Sequence, residues 1–297
     1  MLQRVFEHAG RLLPADRRYV AERYVRGWFE AMRLARADCV AVSFGKSGRT
    51  WLRVMMSRLF QLVYGLPEGE LLEFANYHRR DARIPRVLFT HDNYLRDHTG
   101  DGTSKRVYRT KPVILLARHP ADVTMSQYFQ WKYRMRAHKV ALNEYPATGS
   151  DLSPHAFMMG ASGLTKVIGF LNEWAAALPE LDRSLVLRYE DMRADTVAAF
   201  TRVGNFLGVD CDAAAIREAV DYAAFENMKQ READAASDSD RLRAKDVDNP
   251  DSFKTRRGKV GGWQDYFDDA GVAEIEHRVS TTLDPMFGYG PPLTRRS

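Results

Sequence analysis

A chain of 297 residues with 45% hydrophobic content can bury a large core, and its length suits one α/β domain. A formal charge of +5 turns it mildly towards anionic partners, but the basic residues are scattered and form no zinc-finger, RNA-recognition or helix-turn-helix pattern, which argues against nucleic acid. Cys39 and Cys211 are too few for a disulfide framework or a thiolate zinc site and suit a reducing cytoplasm. No apolar run approaches the roughly 18 residues of a membrane span, and charges from Arg4 onward leave no secretory h-region.

In chain order, residues 1–36 hold eight arginines against four acids, with Tyr24, Val25, Trp28, Phe29 and Met32 at near-helical spacing. The pattern predicts a basic amphipathic helix packed on the domain, with contact to an anionic membrane surface as the sharper alternative. Residues 38–44 form a short apolar run that reads as a buried strand. Leu52, Met55, Met56, Leu59, Phe60 and Val63 then recur as one helical stripe.

Residues 86–90, 112–118 and 184–189 read as further strands, and Leu164, Val167, Ile168, Leu171, Ala175 and Leu178 share one face of a helix between the last two. Strands alternating with helices predict a central parallel sheet flanked by helices on both sides, with ligands at the carboxyl ends of the strands. Residues 231–252 turn polar and charged, which predicts a mobile segment.

The first strand runs into Gly45, Lys46, Ser47, Gly48, Arg49, Thr50 and Trp51 at the start of a helix. Backbone N–H groups and the positive end of the helix dipole make such a loop a phosphate cradle. A Walker A loop would need glycine where Val40 stands. The strand at 112–118 ends in Arg118, where a kinase would want a carboxylate for magnesium, and a guanidinium there favours an anion site without a metal.

From Arg118 the sequence reads RHPADVTMSQYF, with Pro120 in a first helical turn and Ser126 eight residues after the arginine. This run resembles the 3'-phosphate-binding stretch of sulfotransferases that use 3'-phosphoadenosine 5'-phosphosulfate (PAPS). The loop FGKSGRTW is similar to that family's 5'-phosphosulfate loop, and Phe253 followed by RRGKVGGW resembles its RKGxxGDW segment. Tyr189 in RYEDM and Phe225 in FENM match two further segments.

The resemblance implies a sulfotransferase domain over residues 37–297 in a P-loop-kinase-like fold, with residues 1–36 packed on it and 231–252 closing over the cofactor site. It implies PAPS as donor, PAP as product, no metal, and a hydroxyl or amine acceptor. Lys46, Ser47, Gly48, Arg49, Thr50 and Trp51 fall in the phosphosulfate loop. Arg118, Ser126, Arg256, Arg257 and Gly258 belong around the 3'-phosphate, with Trp51 and Phe225 against adenine and Tyr189 nearby. Lys46 is the candidate catalytic cation and His91 the candidate general base, with Asp92 as its substitute or its orienting carboxylate.

Two positions and one segment depart from the family pattern. Arg49 replaces a threonine, Gly262 an aspartate, and the segment Phe89, Thr90, His91, Asp92 lacks the lysine and proline of animal members. A P-loop-like kinase and a non-catalytic PAP-binding protein remain as alternatives. The acceptor is expected among Tyr128, Phe129, Trp131, Tyr133 and residues 137–160, and the basic N-terminal helix favours a lipid or other amphiphile. No pattern sets an oligomeric state.

Overall fold

The computed structural model describes residues 14–100, 103–233 and 258–290. Four strands, β1 (Cys39–Ser43), β2 (Val87–Thr90), β3 (Val113–Ala117) and β4 (Ser184–Arg188), form one sheet in the order β2-β1-β3-β4. All pairs are parallel, with Ala41 opposite Phe89 on one side and Ile114 on the other. Every residue of β1 and β3 is buried, as expected of strands covered on both faces.

The pleat divides their side chains between two cores. Val40, Val42, Val113, Leu115 and Ala117 point to one, and Cys39, Ala41, Ile114 and Leu116 to the other. The first core is closed by α4 (Pro120–Tyr133), α7 (Leu164–Ala177) and α12 (Asp269–Thr282), through residues such as Val123, Trp174 and Ile275. The second is closed by α2 (Arg49–Tyr64), α9 (Thr196–Leu207) and α10 (Ala213–Tyr222), through Phe60, Phe200 and Ile216.

Short helices α3 (Leu95–Thr99), α5 (Ala137–Leu142), α6 (Pro154–Met159) and α8 (Tyr189–Ala194), with α11 (Phe225–Ala233), complete the connections. Asp195, Asp212 and Asp268 cap α9, α10 and α12 by accepting from backbone N–H groups of the first turn. Arg231 lies inside α11, so the polar segment expected from that residue onward begins as helix; its remainder, together with Phe253, Arg256 and Arg257, lies outside the described residues.

Helix α1 (Ala15–Arg36) lies against α3 and α5, where Arg23 donates to Leu142 O at 2.9 Å and pairs with Asp97 at 3.0 Å. The apolar residues of this helix divide between two faces. Leu34 is buried and Phe29 half-buried, whereas Val20, Tyr24, Trp28 and Met32 are 68, 50, 40 and 43% exposed. Among the described residues no helix is long and apolar enough to cross a membrane.

Candidate active site

The connection from β1 runs to β2 on one side and that from β2 crosses back to β3 on the other side of β1, so the loop after β1 opens at the point where parallel sheets bind ligands. Lys46 holds φ at +74° and Gly48 at +96°, so the backbone curls before α2 begins at Arg49. A non-glycine residue in that region stores strain that surrounding contacts must hold. Here Arg118, at the end of β3, donates to Lys46 O at 3.1 Å. Gly48 also needs its bare Cα, because a Cβ there would sit 2.8 Å from the Tyr189 ring.

This loop forms one wall of a cavity of about 280 Å³. Of the expected cofactor residues, Lys46, Gly48, Arg49, Thr50, Trp51 and Arg118 line it, as do Ser126, Tyr189, Phe225 and Gly258. Ser47 is 2% exposed and is not among the lining residues. Arg118 lies 4.3 Å from the Tyr189 ring centre and donates to Lys259 O at 3.3 Å, while its Nε, though buried, has no hydrogen-bond partner among the described residues.

Trp51 and Tyr189 meet edge to face at 5.8 Å, and the Trp51 indole N–H donates to Ala223 O at 2.9 Å. A Cβ on Gly258 would sit 2.7 Å from the Phe225 ring, so that glycine and that ring are in direct apposition. Two flat aromatic walls beside an anion-binding loop can accept a purine and its phosphates.

Asp122 was not among the expected site residues, yet it holds the far side of the cavity together. Its carboxylate accepts from Gly261 N at 2.8 Å and Trp263 N at 3.1 Å, pinning the C-terminal segment to α4. His119 supports the same corner by stacking on Trp263, with its ring nitrogen accepting from Ala121 N at 3.3 Å. Burial holds the His119 imidazole below its ordinary pKa, which suits a neutral, accepting ring. An acid in the first turn of α4, four residues after Arg118, was the available signal for Asp122, but its partners lie some 139 residues away.

A second cavity of about 620 Å³ adjoins the first, and Gly45, Arg49, His91 and Gln130 line both. His91 Nδ1 lies 2.7 Å from Ser43 O and its Nε2 lies 2.6 Å from Arg49 Nη2. A carbonyl can only accept, so Nδ1 carries the proton and Nε2 presents its lone pair to the guanidinium.

Asp92 does not orient this imidazole, contrary to one expectation from the sequence. Its carboxylate, at the wall of this cavity, lies 2.8 Å from Lys105 Nζ and accepts from Tyr108 OH at 2.8 Å. The neighbouring acid is Glu30 of α1, which accepts from the Thr90 hydroxyl. Desolvation, with Asp92 adding, pushes the Glu30 carboxyl up to about 7, while the Thr90 hydrogen bond and Arg49 pull it down.

The aromatic residues expected to line the acceptor pocket instead pack in the core or lie outside the second cavity. Tyr128 and Trp131 are buried, with polar atoms spent on Leu152 O and Pro146 O. From the neighbouring stretch, Met135, Lys139, Asn143, Glu144 and Tyr145 do reach it.

Residues 36–286 match the model of the sulfotransferase domain. The chain is 27% identical to Sulfotransferase 2A2 of Rattus norvegicus, over 86% of each chain. It is 23% identical to Flavonol 3-sulfotransferase of Flaveria bidentis, over 83% of this chain and 81% of that one. Among solved structures, mouse sulfotransferase SULT7A1 complexed with PAP aligns with a TM-score of 0.56 at 20% identity, over 83% of this chain and 84% of that one. Retinol dehydratase in complex with androsterone and PAP aligns at 0.54 and 18%, over 82% and 80%.

Proposed function

The chain belongs to the sulfotransferase-domain family, and from that premise we propose that it moves the sulfuryl group of PAPS to a hydroxyl or amine acceptor and releases PAP. The observation that carries this reading is the pair of adjoining cavities, one built for a nucleotide with phosphates and one open to an acceptor, with His91 and Arg49 at their junction.

The residues present fit the donor. Arg118 offers a buried Nε still lacking a partner among the described residues, and Gly48 and Gly258 line the same cavity at positive φ. Arg118 and Ser126 hold the 3'-phosphate, and Arg256 and Arg257, expected there from the sequence, lie outside the described residues. Trp51 and Phe225 enclose the adenine. PAPS supplies an activated sulfuryl group whose leaving group is a phosphate.

Lys46 and the N–H groups at the start of α2 stabilise negative charge developing on that phosphate, in a cavity where such interactions need no reorganisation. His91 Nε2 is the site that takes the acceptor's proton. With donor and acceptor approaching the junction from opposite cavities, the arrangement suits in-line transfer.

Two further features complete the proposal. Both cysteines are unpaired, which fits a reducing cytoplasm. The exposed stripe of Val20, Tyr24, Trp28 and Met32, flanked by exposed Arg17, Arg33 and Arg36, fits peripheral contact with an anionic bilayer, because Glu22 and Glu30 of the same helix are turned to internal partners. Retention of the protein on anionic but not neutral vesicles is the expected result, and no retention on either would remove that contact.

The activity itself is tested by thermal stability with PAP, with AMP, and with ATP plus magnesium, since a ligand selective for the folded state raises stability with its concentration. A shift with PAP exceeding that with AMP is expected. No shift with PAP, but one with magnesium ATP, would replace this reading with a kinase.

A further inference from the structure

We infer, resting on the sulfotransferase reading, that the acceptor carries an anionic group besides the hydroxyl or amine that is sulfated, and that Lys166 on the wall of the larger cavity receives it. Among the described residues that cavity is lined by seven arginines and lysines against four carboxylates. Two of the four are already neutralised from behind the wall, because buried Lys105 lies 2.8 Å from Asp92 and 3.0 Å from Glu173, while of the cations Arg23 pairs with Asp97 at 3.0 Å and Arg26 with Glu22 at 2.7 Å. A third, Glu30, is half protonated near neutrality. The cavity therefore presents surplus positive charge.

Lys166 carries part of that surplus. Its ammonium donates to the Asn143 carbonyl at 2.6 Å and lies 4.6 Å from the centre of the Tyr145 ring, both neutral partners, and no carboxylate comes within ion-pair distance among the described residues. Loss of solvation lowers its pKa, Arg23 and Arg96 act in the same direction, and Glu144 opposes them. A half-buried cation with no carboxylate at ion-pair distance is the arrangement that an arriving anion stabilises and an apolar occupant penalises, because the latter would strip remaining water without replacing it.

The rest of the cavity defines the acceptor further. Phe29, Phe44, Met135 and Phe170 offer apolar surface, with the Phe44 and Phe170 rings 5.6 Å apart, and Gln127, Gln130 and Asn93 offer hydrogen bonds. An acceptor with a ring or short chain between its nucleophile and its anionic group satisfies both halves. Androsterone and retinol, found in the retinol dehydratase structures, carry no charge to set against Lys166.

The test uses three phenols of similar size that differ in charge: 4-hydroxyphenylacetate, 4-ethylphenol and tyramine. With saturating PAPS, sulfated product is measured for each, and PAP binding is followed on the same protein by thermal shift. We expect kcat/KM for 4-hydroxyphenylacetate to exceed that for 4-ethylphenol by about tenfold, the order expected of one partly desolvated ion pair, with tyramine the poorest.

Lys166→Met should collapse the ratio of anionic to neutral acceptor, and Lys166→Arg should restore most of it. The conservative variant separates charge from the packing role of the Asn143 contact. Equal turnover of the three phenols, a preference for tyramine, a ratio unmoved by Lys166→Met, or PAP binding with no phenol sulfated would each overturn the inference. Those outcomes leave the sulfotransferase reading to be judged by PAP binding, whose absence would instead remove the premise.

Discussion

Arg49 Nη2 lies 2.6 Å from His91 Nε2, on the ring nitrogen that the Ser43 carbonyl leaves unprotonated. The lone pair a general base would use is thus covered by a guanidinium that stands where the family pattern has threonine. An acceptor hydroxyl reaches His91 only when Arg49 turns to another partner, and the anionic sulfonate of the donor is a natural one. Arg49→Thr should speed modification of His91 by diethylpyrocarbonate in the absence of nucleotide, read by peptide mass spectrometry. Equal rates in the variant and the parent would show that Arg49 does not cover the ring.

Arg118 joins three parts of the nucleotide cavity, through Lys46 O, Lys259 O and the Tyr189 ring. If it holds the 3'-phosphate as proposed, removing it deletes a charge-assisted contact as well as two backbone ties, so Arg118→Ala should weaken PAP binding by roughly a hundredfold or more. AMP, which lacks the 3'-phosphate, should lose much less. Lysine is a poor replacement, since it keeps the charge but not the planar fork that spans two carbonyls. Parallel calorimetric titrations with PAP and AMP check this, and an equal loss for the two nucleotides would place Arg118 away from the 3'-phosphate.

The two central strands were legible because strands buried on both faces are almost wholly apolar, as Val113–Ala117 is throughout and Cys39–Ser43 is up to Ser43. Helix α2 was equally plain from its stripe. The orientation of α1 was not, since helical spacing groups Tyr24, Trp28 and Met32 without saying which stripe meets the protein; Phe29 and Leu34 do. Loop and strand-end residues of the nucleotide cavity were readable because a short motif carries them.

Asp122 was missed because its two N–H donors come from the far end of the chain, and Glu30 because α1 meets the end of β2 only in the folded state. Tyr128 and Trp131 misled for a related reason. An aromatic residue beside a site motif has no local mark that separates a cavity wall from a core contact.

Gly48 offers a test of how closely the loop after β1 is fitted to its surroundings. A methyl group there would sit 2.8 Å from Tyr189 Cδ2 at a φ of +96°, so Gly48→Ala must move either the loop or the ring. That ring also contacts Arg118 and Trp51, and its displacement should spread to both walls of the nucleotide cavity. Loss of about 1–3 kcal/mol of stability is expected from strain and overpacking, with PAP affinity falling at least about tenfold. Urea denaturation and PAP titration check the two effects. Lost stability with intact PAP affinity would make the apposition of loop and ring a matter of folding alone.

Glu30 supplies a prediction with a definite sign. Its carboxyl is pushed from the ordinary 4.5 up to about 7 in the folded protein, chiefly by desolvation, so between those values the folded chain holds a proton that the unfolded chain releases. The contribution to stability is fully present below about 4.5 and is lost as pH rises through about 7, because above that the partly buried carboxylate must be charged. Glutamine keeps an acceptor for the Thr90 hydroxyl and carries no charge at any pH. Glu30→Gln should therefore exceed the parent by about 2 kcal/mol at pH 8, after allowance for solvent screening, with the gap closing below about 1 kcal/mol at pH 5. Urea denaturation at the two pH values measures the gap, and a difference that does not grow with pH would mean that Glu30 is solvated well enough to ionise at its ordinary pKa.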